Sequence, residues 1–283
     1  MFFIARRFVA GLSKEEALGR AREIAQRGVL STMDFLGEHV EDPGAAQSVA
    51  REYRELLEMI AALNGGEPHP TLSIKPTHLG LDIGDETAYQ SMKSVLQAAR
   101  RYDNFVRLDM EGSAYTERTI GLFNRLHKEF GDHAGIVIQA YLYRSADDIA
   151  DLNATKARVR LCKGAYKESA GIAFKGKADV DQNYDLLCEA LMKSGNCPAI
   201  ATHDEIRIRN AIAYARKHGR DIKDFEFQML LGVRTKLAMD LAKSGFRVRL
   251  YLPYGREWLS YFYRRIRERK ENFLFAARNL FWR

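Results

Sequence analysis

Short runs of β-branched and apolar residues alternate with longer amphipathic stretches along most of the chain. Eight such runs, each bounded by polar or turn residues, are predicted to be strands; they occupy 28–38, 71–76, 104–110, 135–142, 157–164, 197–204, 225–230 and 246–253. Apolar positions at helical spacing predict helices over 14–26, 45–63, 86–102, 116–130, 145–154, 181–195 and 234–245. Glycines close several of these helical stretches, as helix C-termini favour.

Eight strands alternating with helices predict a (β/α)8 barrel of the α/β class. The main alternative, an open doubly wound sheet, is disfavoured because no strand is followed by GxGxxG and because eight repeats are what closure requires. The chain has no low-complexity segment, and six prolines among 283 residues leave little room for a linker. We therefore expect one domain, with N-terminal helices over 1–27, the barrel over 28–253, and lid and C-terminal helices over 254–283.

Composition places the chain among soluble globular proteins, since 46 % of its residues are hydrophobic and 29 % are charged. No apolar run approaches the roughly 20 residues of a membrane span. Glu15 and Glu16 follow a short apolar N-terminal patch, which argues against a signal or transit peptide. Three cysteines without a CxxC pair fit a reducing cytoplasm and no disulfide framework.

The formal net charge of +7 is concentrated at the C-terminus, where residues 256–283 hold eight Lys/Arg and three Asp/Glu. A basic end of this kind can attract nucleic acid, acidic lipid or a small anion. The final segment NFLFAARNLFWR adds aromatic and apolar residues, a composition typical of an interfacial membrane helix. A terminal helix that packs on its own domain has the same composition, and both interpretations remain open.

Polar and ionisable side chains stand at the ends of the predicted strands. In a (β/α)8 barrel these ends meet at the C-terminal face, where active sites lie. The groups are Asp34, Glu38, Lys75, Asp109, Glu111, Gln139, Tyr141, Arg160, Lys163, Thr202, His203, Asp204, Gln228 and Tyr251. The convergence of so many polar side chains on one face favours an enzyme. One or two salt bridges among Lys75, Asp109 and Arg160 are nevertheless expected in any polar barrel mouth.

Several reaction classes compete for this face. A Schiff-base aldolase needs one desolvated lysine, and Lys75 or Lys163 has the required position. A metallohydrolase needs clustered His and carboxylate ligands, but the chain has no HxH or HExxH and only His203 ends a strand, so no metal is expected. A nucleic-acid-binding protein would use the basic C-terminal helix but would leave the polar mouth unexplained.

A flavin enzyme accounts for more of these groups. A bound flavin needs hydrogen-bond donors near its ring and cations near its pyrophosphate. Three neighbouring strands carry side chains of these two kinds. They are Gln139, Arg160, Lys163, Thr202 and His203. Gly164 and Ala165 directly follow a strand, so the backbone there can approach a cofactor closely.

The helix predicted after the last strand carries two adjacent arginines. Tyr261, Arg264, Arg265 and Glu268 share one face at i, i+3, i+4 and i+7. The neighbouring face is apolar and packs in the usual way. Paired guanidiniums suit a carboxylate or phosphate because each can donate two parallel hydrogen bonds. A solvated basic face is the alternative, but the position after the eighth strand favours an anion clamp over the mouth.

Five motifs carry a resemblance to a known family. They are SIKPTHLG (73–80), VRLDMEGS (106–113), RLCKGAY (160–166), ATHD (201–204) and YLPYGREWLSYFYRRIRE (251–268). In this order, over 28–275, they resemble the proline dehydrogenase family, in particular its short monofunctional bacterial members. The resemblance implies a distorted (β/α)8 barrel that binds FAD and oxidises L-proline to Δ1-pyrroline-5-carboxylate, the first step of proline catabolism to glutamate. It further implies hydride transfer to flavin N5 and a membrane quinone as electron acceptor, and the basic, aromatic C-terminus predicts peripheral contact with the cytoplasmic membrane.

The resemblance also implies roles for individual residues. Asp109 and Arg160 are linked to catalysis, with Arg160 near the flavin N5. The implied substrate-binding residues are Lys75, Tyr166, Tyr251, Tyr261, Arg264 and Arg265. The implied cofactor-binding residues are Met110, Gln139, Arg160, Lys163, Gly164, Ala165, Thr202, His203 and Glu268, the last of which also orients the arginine face.

One departure from the family pattern lies in the cofactor region. Lys167 occupies a position where larger bifunctional relatives carry Trp. The chain also lacks the DNA-binding and aldehyde dehydrogenase segments of those relatives, so neither the bifunctional activity nor a repressor role is expected. Two other functions remain open, a methylenetetrahydrofolate reductase-like flavin barrel that uses NAD(P)H and a basic nucleic-acid-binding protein.

Overall fold

The computed structural model of the protein describes residues 5–63, 69–259 and 261–263. Its strands are β1 Leu30–Phe35, β2 Thr71–Ile74, β3 Val106–Leu108, β4 Ala134–Gln139, β5 Arg158–Cys162, β6 Ala199–Ala201, β7 Glu226–Leu230 and β8 Arg247–Tyr254. Its helices include α1 Lys14–Ala25, α2 Pro43–Ala61, α3 Asp85–Arg101, α4 Ser113–Phe130, α5 Ser145–Ala154, α6 Lys177–Ser194, α7 Glu205–Lys217 and α8 Thr235–Lys243. Short 3-10 turns cover Pro76–Leu79 and Gly131–His133.

The eight strands form a closed barrel in which each strand pairs with its neighbours in chain order. β8 pairs in parallel with β1, with Cα partners from Leu30 and Arg249 to Phe35 and Tyr254. The predicted (β/α)8 barrel is therefore confirmed. Seven of the strands are shorter than predicted, whereas β8 has the predicted eight residues and is shifted by one.

Local sequence signals explain where several helices begin. Asp42 caps α2 by accepting a hydrogen bond from the Ala45 amide, and Pro43 takes the first helical position. Asp204 caps α7 in the same way through the Ile206 amide. Helix α7 was expected from the alternation of strands and helices, although its sequence EIRIRNAIAYARK was not singled out as a helical stretch.

The barrel interior holds charged side chains where a barrel of this kind usually packs branched aliphatic layers. Arg249 donates to both carboxylate oxygens of Glu226, at 2.9 and 3.0 Å, and all these groups are buried. Burial alone would raise the pKa of Glu226, but Arg249 and Arg107 lower it to about 2. The pair lies toward the N-terminal end of β7 and β8, away from the barrel mouth.

The N-terminal segment, residues 5–11, packs at the C-terminal face of the barrel. The Ala10 amide donates to the Pro253 carbonyl at 2.8 Å, and the Gly255 amide donates to the Gly11 carbonyl at 3.0 Å. Ala5 and Val9 bury side chains against Leu36 and Tyr261, so this segment supports the first turn of the last helix. Among the helices of the described residues, none is long and apolar enough to cross a membrane.

Candidate active site

Asp109 joins two other side chains at the centre of the barrel mouth. Its Oδ1 accepts a hydrogen bond of 2.7 Å from Arg160 Nη1, and its Oδ2 accepts one of 2.7 Å from the Tyr251 hydroxyl. The Arg160 guanidinium also lies 5.5 Å from the centre of the Tyr251 ring, within cation–π range. Strands β5 and β8 and the end of β3 thus bring together three predicted site residues.

Lys75 forms a second charged pair beside this group. Its Nζ lies 3.2 and 3.0 Å from the two carboxylate oxygens of Asp34. Burial opposes the charged ammonium, but Asp34, Asp109 and Glu111 together raise the pKa of Lys75. Burial raises the pKa of Asp34 as well, and the nearby Asp109 charge adds to this, while Lys75 opposes it. Lys75 therefore remains a cation, which contradicts its use as a neutral Schiff-base nucleophile.

Lys163, the other candidate nucleophile, is held by carboxylates as well. Its Nζ forms ion pairs with Asp181 and, at 3.2 Å, with Asp204. Asp181 also pairs with Lys177, which builds a polar network around the end of β5. Both lysines are thus ion-paired with carboxylates, which disfavours the aldolase hypothesis.

Two buried hydroxyls behind Arg160 were missed by the sequence analysis. Ser73 Oγ accepts a hydrogen bond of 2.7 Å from Arg160 Nη2, and it lies 3.2 Å from Thr32 Oγ1. Thr32 precedes Asp34 by two residues and Ser73 precedes Lys75 by two, so alternation along each strand places both hydroxyls on the inner face. That alternation is the signal that points to them.

Two buried polar atoms at the mouth have no protein partner among the described residues. They are Gln139 Oε1 and Arg160 Nε, and both side chains are buried. Unsatisfied buried polar atoms are rare in folded proteins, so an acceptor and a donor here fit a bound polar group such as a flavin ring.

Gly164 adopts a backbone conformation that favours glycine, with φ of +106°. A Cβ at this position would collide with the Tyr141 ring. The sequence suggested that this glycine lets a cofactor approach the backbone, whereas in the structure Tyr141 occupies the space that a side chain would need. Burial raises the pKa of Tyr141. Glu168 accepts a hydrogen bond of 3.3 Å from the Tyr141 hydroxyl and raises this pKa further.

The remaining predicted cofactor residues lie around the same face. His203 Nε2 accepts a hydrogen bond of 2.9 Å from the Leu230 amide, which places the ring hydrogen of the neutral imidazole on Nδ1. The Thr202 hydroxyl accepts from the Asp204 amide at 3.1 Å. Met110 is buried, whereas Ala165 is exposed and Tyr166 partly buried.

The C-terminal helix is described only at its start. Residues 258–259 and 261–263 are helical, and Tyr261 is buried among Ala5, Val9 and Leu36. Arg264, Arg265 and Glu268 lie outside the described residues, so their assignment as a carboxylate clamp stays a prediction.

One cluster of possible metal-ligating groups lies near the mouth. Ligand atoms of Glu38, His39 and Glu111 are within 4.8 Å of one another. His39 Nδ1 is 2.8 Å from Asp82 Oδ2, and Glu111 accepts hydrogen bonds from the Thr77 amide and hydroxyl at 3.0 and 2.6 Å. His39 and Glu111 therefore already have protein partners, and the cluster gives the metallohydrolase hypothesis little support.

A closed parallel barrel with interacting Asp, Arg, Lys and Tyr side chains at its mouth defines a (β/α)8-barrel enzyme. The family model described as proline dehydrogenase matches residues 17–278. Proline dehydrogenase 1 of Bacillus subtilis (strain 168) is 40 % identical over 276 residues, which cover 98 % of this chain and 90 % of the relative. Proline dehydrogenase of Deinococcus radiodurans is 38 % identical over 282 residues, which cover 99 % and 91 %. The chain belongs to the proline dehydrogenase family.

A solved structure shows the same fold. Proline utilization A (PutA) from Bdellovibrio bacteriovorus, inactivated by N-propargylglycine, superimposes with a TM-score of 0.87 at 27 % identity. The match covers 95 % of this chain and 33 % of the PutA chain, so this chain corresponds to about a third of that longer protein.

Proposed function

We propose that this protein is a flavin-dependent dehydrogenase that oxidises L-proline to Δ1-pyrroline-5-carboxylate and passes the electrons to a quinone. The observation that carries the proposal is the hydrogen-bonded cluster of Arg160, Asp109 and Tyr251 at the barrel mouth. The chain that forms this barrel belongs to the proline dehydrogenase family. The reaction removes a hydride from the ring carbon next to nitrogen and a proton from the amine, which leaves a carbon–nitrogen double bond.

Binding of the proline carboxylate requires cations that keep their charge. Lys75 satisfies this requirement because surrounding carboxylates raise its pKa. The sequence predicts that Arg264 and Arg265 add two guanidiniums, and hydrogen bonds to charged groups contribute about 1.5–3 kcal/mol each. Tyr251, Tyr166 and Tyr261 are the aromatic residues that we assign to the proline ring.

Asp109 orients the other mouth residues in this proposal. Both of its carboxylate oxygens already accept short hydrogen bonds, one from Arg160 and one from Tyr251. This arrangement holds a cation and a phenol in fixed positions relative to each other, and fixed geometry of this kind lowers the entropic part of a reaction barrier. We therefore assign Asp109 to positioning, and Arg160 to contact with the reacting groups.

The residues present fit FAD as the cofactor. Gln139 and Arg160 offer a buried acceptor and a buried donor without protein partners among the described residues. Lys163, Thr202, His203 and the backbone at Gly164 surround the same face, with Met110, Ala165 and Glu268 as further contacts predicted from the sequence. When bound, FAD would supply the two-electron oxidation by taking up the hydride that leaves proline.

The absorption spectrum of the purified protein tests this proposal directly. We expect a flavin spectrum that bleaches when L-proline is added without oxygen and recovers when a quinone is added. Bleaching with NADH but not with proline would identify a methylenetetrahydrofolate reductase-like enzyme. A colourless protein that binds nucleic acid would support the non-enzyme alternative and overturn the proposal.

The arginine clamp has its own test. Arg264→Met and Arg265→Met should each raise the KM for proline strongly while the flavin content stays at the wild-type level. A wild-type KM in both variants would show that these arginines do not bind the proline carboxylate.

We also propose that the protein is cytoplasmic and that its basic, aromatic C-terminus contacts anionic lipid, where a quinone would be available. Cations near an anionic membrane surface and buried aromatic residues both favour such binding. Co-sedimentation with anionic liposomes should weaken when residues 272–283 are deleted. Equal co-sedimentation of the full and shortened chains would rule out this contact.

A further inference from the structure

The Arg160 guanidinium is held at two of its nitrogens by groups on different strands. Nη1 donates to Asp109 Oδ1 and Nη2 donates to Ser73 Oγ, both at 2.7 Å. Ser73 is fully buried, and Arg160 is 6 % exposed. Nε has no protein partner among the described residues. Two edges of the guanidinium are thus occupied by the protein, and Nε remains as a donor for a bound group.

The direction of the hydrogen bond between Arg160 and Ser73 follows from the chemistry of the guanidinium. A guanidinium only donates hydrogen bonds, so Ser73 Oγ accepts from Arg160 and must direct its own hydrogen elsewhere. Thr32 Oγ1 lies 3.2 Å away and is buried as well. Either hydroxyl can be the donor in this contact, and in both cases Thr32 holds the Ser73 hydroxyl at a second point besides Arg160.

We propose that Ser73 and Thr32 are positioning residues that set the angle of the Arg160 guanidinium and thereby the rate of proline oxidation. A single salt bridge to Asp109 would let the guanidinium pivot about that contact, whereas a second fixed acceptor prevents the rotation. This inference rests on the proposed function, because it concerns the rate of that reaction. A positioning role differs from a purely structural role of Ser73 and Thr32, which would affect folding stability and leave the turnover of the folded enzyme unchanged.

The contact with Arg160 also explains why hydroxyl residues occupy the inner positions 73 and 32. An apolar residue at 73 would leave the Nη2 donor unsatisfied inside the barrel, which is costly for a charged group. Ser73 supplies the acceptor for Arg160 Nη2, and Thr32 supplies a second contact for the Ser73 hydroxyl.

The test compares Ser73→Ala, Thr32→Val and Thr32→Ser with the wild type, all loaded with flavin. Thr32→Val removes the hydroxyl and keeps the shape, whereas Thr32→Ser keeps the hydroxyl. We expect Ser73→Ala to lower the rate of flavin reduction at saturating proline by about tenfold, as small misplacements of reacting groups do, while the KM for proline and the flavin content stay near wild type. Thr32→Val should lower the rate in the same direction, and Thr32→Ser should restore it.

A crystal structure of Ser73→Ala supplies a readout that does not depend on activity. The Arg160 guanidinium should be rotated about its contact with Asp109, and it should keep its wild-type position in Thr32→Ser. A wild-type reduction rate in Ser73→Ala, or an unmoved guanidinium, would overturn the inference. A wild type that does not bleach with L-proline would instead reject the proposed function, so the two failures are distinguishable.

Discussion

The Tyr251 hydroxyl donates a hydrogen bond of 2.7 Å to Asp109, although the two residues are 142 positions apart in the chain. Burial raises the pKa of Tyr251, and the neighbouring Asp109 charge raises it further. The phenol therefore stays protonated and acts as a donor. This bond ties the last strand of the barrel to the carboxylate that also holds Arg160.

Tyr251→Phe tests this bond. The variant should lower kcat/KM for proline by about tenfold or more, since a hydrogen bond to a charged group contributes about 1.5–3 kcal/mol. Tyr254→Phe is the matched control, because Tyr254 lies on the same strand but its hydroxyl is 3.5 Å from Glu52, outside the mouth. Equal effects of the two variants, or unchanged discrimination between proline and 4-hydroxyproline in Tyr251→Phe, would count against a role in the ring pocket.

The pair of Lys75 and Asp34 allows substrate binding to be separated from folding stability. Lys75→Met leaves the buried Asp34 without its cation, which should cost about 3–5 kcal/mol of unfolding free energy. The double variant Lys75→Met/Asp34→Asn removes both charges and should recover much of that stability. Both variants should show the same raised KM for proline, measured alongside denaturant unfolding. A wild-type KM in the double variant would mean that Lys75 has only a structural role.

His78 should make the protein less stable as the pH falls. Burial, with a smaller effect of Lys75, lowers its pKa to about 3, below the value of about 6.5 expected in the unfolded chain. The unfolded state therefore binds the proton more readily. The contribution of His78 to the free energy of unfolding is fully present above pH 6.5 and is lost progressively as the pH falls toward the folded-state pKa. The slope is at most about 1.4 kcal/mol per pH unit.

The difference between wild type and His78→Gln in denaturant unfolding, measured from pH 7 to pH 4, isolates this contribution. His39 is a control of opposite sign, because burial opposes its charged form but Asp82 outweighs that effect and raises its pKa. His39→Asn should lose stability relative to wild type mainly on the acidic side. If His78→Gln shows the same pH dependence as wild type, the buried imidazole is not the cause.

Gly232 should tolerate no side chain, because the N-terminal segment passes directly over it. Its φ is +76°, and a Cβ would collide with the Arg7 carbonyl oxygen. Gly232→Ala should therefore release residues 5–11 from the barrel, speed up their proteolysis and raise the KM for proline by disturbing the support of Tyr261.

Gly219→Ala is the matched control for this substitution. Gly219 has a similar φ of +66°, but no atom lies within 4 Å of the position that a Cβ would take there. The control should therefore show only the backbone cost of about 1–2 kcal/mol. Equal protease sensitivity of the two variants would show that contact with Arg7 is unimportant.

Much of the candidate site was predictable because strand ends of a parallel barrel share one face. Asp109, Arg160 and Lys75 were placed at the barrel mouth from their positions at strand ends, and the structure brings them close together there; their individual roles came from the family resemblance and stay predictions. Asp34 was noted at a strand end but received no role, since nothing in the sequence says that it pairs with Lys75. Ser73 and Thr32 were missed because isolated hydroxyl residues in strands are common and usually have no special function.

The sequence by itself determined the alternation of strands and helices, the number of strands and the polar character of the barrel mouth. These follow from period-2 and helical patterns of apolar residues, which are local properties of the chain. Only the tertiary structure decided which groups interact: that Asp109 accepts from both Arg160 and Tyr251, that Ser73 supports Arg160 from behind, and that residues 5–11 pack against Tyr261. Such pairings depend on how closure of the barrel places distant strands, and a distance across the interior is not encoded in any local pattern.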